Sequence, residues 1–179
     1  MENRKQMILS VLGSVFLVLI LYIILHESGH CLVAVLCGAK ITEFSVLSAH
    51  MSYEGGTFNA STASLLNAAG LLLPLLISGV YMLFYSKTSQ NTFYRIFSFM
   101  FGLLPFFSLI AWVFVPLLYL SGNAPAYDDV TQFLDNSGMN PWIVCLAAAL
   151  LLTCGFALAW KKKIVQNYWQ TCRGARTAK

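Results

Sequence analysis

The chain has 179 residues, of which 58% are hydrophobic and only 10% charged, and its mean hydropathy is +0.71. A soluble domain carries about a quarter charged residues, so the composition excludes one. It points to a single membrane-embedded domain over 1–179 that crosses the bilayer several times. The formal charge of +4 comes from basic residues gathered in a few segments, so it is not a footprint of nucleic-acid binding.

Glu2 to Gln6 is a polar start containing Arg4 and Lys5, and Met7 to Leu25 follows without a charge. The start resembles the beginning of a signal peptide. The apolar run is too long for one, and no small-residue cleavage site closes it. It is read as a retained first span over about 7–37. As a helix this stretch would measure roughly 46 Å, against a hydrocarbon core of about 30 Å. It must therefore tilt, break or project beyond the core.

Late in that span stands His26-Glu27-Ser28-Gly29-His30. Three ionisable side chains in so apolar a run are expensive and call for a functional reason. Residues four apart share a helix face, so His26 and His30 can point at one metal ion. Two imidazoles suit a single Zn2+, and a third protein ligand would leave a position open for water. Glu27 is placed to take a proton from that water as general base. This is machinery for hydrolysing an amide bond.

Ile41 to Phe58 changes to a period of two and is rich in β-branched and aromatic residues. It is read as a small β-hairpin with a turn signal at Glu54-Gly55-Gly56. An open strand edge beside a protease site could hold an extended substrate. A second span is expected over about 63–85, capped by Ser61 or Thr62 and bent at Pro74. Asn67 is its one strongly polar residue, a candidate for substrate binding or for an interhelical hydrogen bond.

A polar loop over 86–95 precedes a third span over about 96–120, and a fourth span covers about 141–160. Between them lies a segment with three acids and no base: Asp128, Asp129 and Asp135. Asp128 can cap a short helix with Val130, Phe133 and Leu134 on its apolar face, ending at Gly138. A basic tail fills 161–179. The fold class is therefore an all-α polytopic membrane protein of about four helices, with a hairpin between the first and second.

With four spans, every basic residue except Lys40 falls on one side of the bilayer. That places both termini in the cytoplasm. The hairpin and the acidic loop then share the outer side. HExxH begins about 30 Å along the first helix and converges on that same side. A third zinc ligand is thus sought in the acidic loop. Asp129 is favoured and Asp128 is the alternative, one acting as cap and the other as ligand. His50 and Asp135 are outside candidates.

HESGH late in a first span, a small hairpin, Asn67-Ala68-Ala69-Gly70 and a distal Asp together resemble the site-2 protease family of intramembrane zinc metallopeptidases. The likeness is closest to its compact bacterial-type members. Asp128-Asp129-Val130 leading to Ser137-Gly138-Met139-Asn140-Pro141 matches the family's aspartate step, and counting back from Gly138 sets Asp129 on that aspartate. Two family features differ. The Asn-Pro-x-Pro-x-x-Asp-Gly signature of larger members is absent, and the usual Gly-Pro after the Asn-Ala-Ala step is Gly70-Leu71 here. The resemblance implies a multi-pass protein of the bacterial cell membrane. It would cut membrane-embedded or membrane-proximal segments of protein substrates, with His26, His30 and Asp129 on zinc and Glu27 as base. Gly29 and Ser28 would let another helix approach the metal. The alternative function is a non-catalytic scaffold or chaperone of the same fold that binds transmembrane clients. A metal transporter would want polar residues through several spans, which the later spans lack.

Overall fold

The structure, a computed structural model, describes residues 2–177, with side-chain surroundings for residues 5–174. The placement of Arg4, Arg176 and Lys179 on the inner face concerns side chains outside that range. The elements run α1 (Glu2–Leu36), β1 (Ala39–Ser45), β2 (His50–Gly55), α2 (Ala60–Leu83), α3 (Thr92–Leu120), α4 (Asp129–Ser137), α5 (Pro141–Lys161) and α6 (Ile164–Thr177). Among the described residues, four helices are long and apolar enough to cross a membrane: Lys5–Leu36, Ala60–Leu83, Thr92–Leu120 and Pro141–Lys161. Large side chains such as Leu9, Phe16, Leu76, Phe114 and Leu146 point outward from them. In water such faces would aggregate, whereas in hydrocarbon they meet their own kind.

α1 is one unbroken helix of 35 residues, about 52 Å long. Of the three ways to fit a long span, a break is therefore not used. α3 lies at the centre and packs against α1, α2, α5 and α6. Leu71, Met82, Leu103, Leu109 and Ala148 form the main core. Gly155 of α5 lies so close to the Phe106 ring of α3 that a Cβ there would overlap it. Pro74, Pro105 and Pro116 all lie within helices that continue through them.

The hairpin is present, but its turn is not where glycine suggested. Strands β1 and β2 pair antiparallel from Ala39↔Gly55 to Ser45↔His50, with an irregularity between Ile41 and Glu43. The turn is 46–49, with Ala49 at φ 46°. Gly55 and Gly56, at φ 73° and 83°, instead carry the chain out of β2. Glycine marked a positive φ correctly, but that φ serves the exit. Ile41, Met51 and Phe58 seat the hairpin on Val33, Ala34 and Leu66.

Three boundaries also differ from the sequence expectation. The cap of α2 is Asn59, whose side chain accepts from Thr62 N while Thr62 Oγ1 accepts from Asn59 N, both at 2.9 Å. Thr62 is thus the far half of a capping box. Arg95, assigned to a loop, lies within α3, which starts after its cap Asn91. The basic tail forms a helix, α6, lying against α3 and α5. Ile164 is fully buried, and Tyr168 stacks on Phe99 at 3.9 Å. Asn167 donates to Tyr85 Oη (3.0 Å) and to Lys87 O (2.9 Å).

α4 follows its sequence signals closely. Asp128 caps it by accepting from Val130 N at 2.9 Å, and Gly138 ends it in the left-handed region. Val130 and Leu134 pack into a small core with Val115 of α3 and Val144 of α5. Phe133 meets Trp112, and Tyr119 donates to Asp135 Oδ1 at 2.7 Å. Those contacts pin the helix over the end of the bundle where HExxH lies.

Candidate metal centre

HExxH occupies helical turns of α1 that face α2, and the two helices touch through glycine on both sides. A Cβ on Gly29 would strike Ala69 O of α2. A Cβ on Gly70 would strike His30 Nε2 and lie 2.7 Å from His26 Cε1. The expectation that Gly29 admits a second helix thus has a concrete form: Ala69-Gly70 fills the space. Gly70 does a different task, since its missing side chain is the room in which both imidazoles sit.

The three side chains meet in a small triangle. His26 Nε2 and His30 Nε2 are 3.2 Å apart, and Asp129 Oδ2 lies 3.3 Å from the first and 3.4 Å from the second. His30 Nδ1 lies 2.8 Å from Leu66 O of α2. A carbonyl only accepts, so Nδ1 donates there and Nε2 faces the triangle, a lone pair for a metal when the ring is neutral and a donor to Asp129 when it is protonated. His26 Nδ1 is buried with no partner among the described residues.

Three electron-rich atoms at this separation repel unless a proton or a cation lies among them. Four ligands held tetrahedrally at 2.0–2.1 Å, as around zinc, stand about 3.3 Å from one another. The observed edges match that figure, and two imidazoles with one carboxylate are a donor set that suits zinc. The residues present therefore fit a metal ion. Burial alone would raise the Asp129 carboxyl. Hydrogen bonds from His26 and His30, and then their charge, outweigh burial and hold the carboxyl down at about 2. Its place in the first turn of α4 acts in the same direction.

The other candidates fall elsewhere. Asp128 is occupied by its cap and Asp135 by Tyr119. His50 is exposed and pairs with Ser52 Oγ at 2.9 Å. It still lines the same cleft, a space of about 460 Å³ that also takes in Glu27, Tyr53, Asn67 and Gln132. Glu27 and Asn67 are only 6% and 7% exposed, and no hydrogen bond holds either side chain among the described residues. One feature of the site had no reading in the sequence. A carbonyl such as Leu66 O has no sequence signal. Gly70 had one, the run of small residues at 67–70.

A family model described as peptidase M50B-like matches residues 6–122. The chain belongs to the peptidase M50B-like family. No match was found among curated proteins or among solved structures. Membership in this intramembrane peptidase family agrees with four apolar helices in a multi-pass membrane protein. The matched residues include HExxH, the hairpin, α2 and α3, and they end before Asp129. The M50B-like match thus bears on the histidine pair, while the aspartate rests on the triangle alone.

Proposed function

We propose that this M50B-like protein is a zinc-dependent endopeptidase that cuts membrane-embedded or membrane-proximal segments of protein substrates. The observation that carries the proposal is the His26–His30–Asp129 triangle, with edges suited to one tetrahedral ion and Glu27 beside it. His26, His30 and Asp129 would hold Zn2+, which when bound acts as a Lewis acid that polarises a carbonyl and makes water more acidic.

The remaining work falls to the chain. Glu27 takes a proton from the attacking water and returns it to the leaving amine. It borders the cleft with no hydrogen-bond partner among the described residues, which leaves it available for that transfer. Asn67 offers both a donor and an acceptor to the substrate backbone or to the developing oxyanion. His50, Met51 and Tyr53 of β2 line the cleft, and among the described residues β2 has no strand on its far side. That edge can take an extended segment by strand addition, which also exposes a peptide bond that a helix would shield. Leu66 O fixes the His30 ring, so that ligand is set before substrate arrives. The basic residues gathered at the α6 end put both termini in the cytoplasm and the site toward the opposite face.

The test is metal analysis paired with a cleavage assay on a membrane-protein substrate. Wild type should carry one zinc and cleave. His26→Ala should lose zinc, and Glu27→Gln should keep zinc and lose cleavage. Zinc-loaded wild type that binds transmembrane clients and cleaves none would replace the peptidase with a scaffold.

A further inference from the structure

At the end of the bundle where α6 lies against α3, a buried cation stands without an anion among the described residues. Arg95 is only 8% exposed. A guanidinium stays charged and offers five N–H donors. Nε donates to Ser89 O at 2.7 Å, Nη2 to Gln90 Oε1 at 2.8 Å, and Nη1 to Thr171 Oγ1 at a long 3.4 Å. All three acceptors are neutral, and two N–H groups are left over. Among the described residues no carboxylate pairs with it; the ion pairs found are those of Asp129. Burying a charge in this way is costly unless something neutralises it.

Beside Arg95 is a hollow of about 320 Å³, lined by Gln6, Gln90, Thr92, Gln170 and Thr171 as well as the arginine. These side chains supply amide and hydroxyl donors and no acid. Gln6 also borders a second hollow between α1 and α3, where Lys5 sits with Leu9 and Phe93. Leu9 and Phe93 are exposed toward the region that lipid would fill. Polar donors with two cations thus grade into an apolar wall.

We propose that these two hollows seat an anionic phospholipid, with its phosphate on Arg95 and Lys5 and an acyl chain along Leu9 and Phe93. Phosphate oxygens match the fork of a guanidinium. Basic pockets at the ends of membrane helices are suited to anionic headgroups. A free phosphate would fill the polar hollow and leave the apolar wall without a role.

The full-length protein in a neutral detergent provides the test, read by thermal unfolding. The probes are dihexanoylphosphatidylglycerol, dihexanoylphosphatidylcholine and inorganic phosphate. The glycerol lipid should raise the unfolding temperature saturably, and the other two should not. Lys5→Gln and Gln170→Glu change exposed side chains, so they spare the fold. Each should weaken the half-saturating concentration by about tenfold, the worth of one charge-assisted contact. Arg95→Gln should abolish the effect, but it also loses the bonds to Ser89 and Thr171, so the two exposed variants decide. Equal stabilisation by the choline lipid, or an undiminished response in both exposed variants, would overturn the proposal. Inorganic phosphate protecting as well as the glycerol lipid would also overturn it, in favour of a soluble anion. The readout involves neither zinc nor cleavage, so its outcome is separate from that of the peptidase.

Discussion

The two ends of the helix bundle use a buried asparagine in opposite ways. At the α6 end, Asn167 spends its amide on Tyr85 and Lys87, and Tyr81 Oη lies 2.6 Å from Ser98 Oγ. At the HExxH end, Asn67, like Glu27, is as little exposed but borders the cleft, and its side chain holds no hydrogen bond among the described residues. The first pattern joins helices, and the second keeps groups available for something that arrives later. In a bundle where lipid removes most of the hydrophobic drive between helices, satisfied polar pairs supply much of the cohesion.

Substitutions at the two ends should separate these roles. The largest effect is expected from His30→Ala, which removes both a ligand and the bond to Leu66 O; zinc content by metal analysis should fall to background. Glu27→Gln should lower the cleavage rate by about 10²- to 10⁴-fold with zinc retained. Zinc lost to the same degree as in His30→Ala would mean that Glu27 is a ligand. Gly70→Ala should come next. Its methyl displaces both imidazoles, so zinc affinity should fall while the protein still folds, at a packing cost of about 1–3 kcal/mol. Asp129→Ala and Asp128→Ala then form a pair. The first should release zinc. The second should keep it and lose only a cap, about 0.5–2 kcal/mol of stability. The smallest effect belongs to the other end. Tyr85→Phe removes the bond from Asn167, costs about 1 kcal/mol of stability and should leave zinc and cleavage unchanged. A drop in zinc there would erase the contrast between the ends.

Acid offers a further check on the site. In metal-free protein the Asp129 carboxyl is held at about 2, below its ordinary value of 3.8. Its contribution to stability is therefore complete above pH 3.8 and is lost as the pH falls through about 2. Unfolding of the metal-free protein should show a steeper acid limb in wild type than in Asp129→Ala.

Much of this was legible in the sequence because it is periodic or local. The four spans follow from uncharged length, and α4 from Asp128, its apolar face and Gly138. The histidine pair follows from helical spacing alone. The hairpin turn was misplaced because glycine reports a positive φ without saying which turn needs it, and Ala49 took the turn at 46–49. The cap of α2 was placed late because Thr62 has the chemistry of a cap, while Asn59 holds the position. α6 was hidden by its basic residues, which read as a tail, although Ile164, Asn167 and Tyr168 were already spaced to face α3. Leu66 O and the room left by Gly70 are tertiary facts. They exist only once α2 lies against α1.

The position of Asp129 on a separate short helix has a topological consequence. An ion shared by His30 and Asp129 would tie together two points 99 positions apart in the chain (129 − 30). It would act as a reversible cross-link, restricting the unfolded chain much as a disulfide over a long loop does. Metal would then regulate order locally as well as chemistry. Stripping it should speed amide hydrogen exchange in α4 and the segment before it. Exchange around Asn167 and Tyr85 should keep its pace.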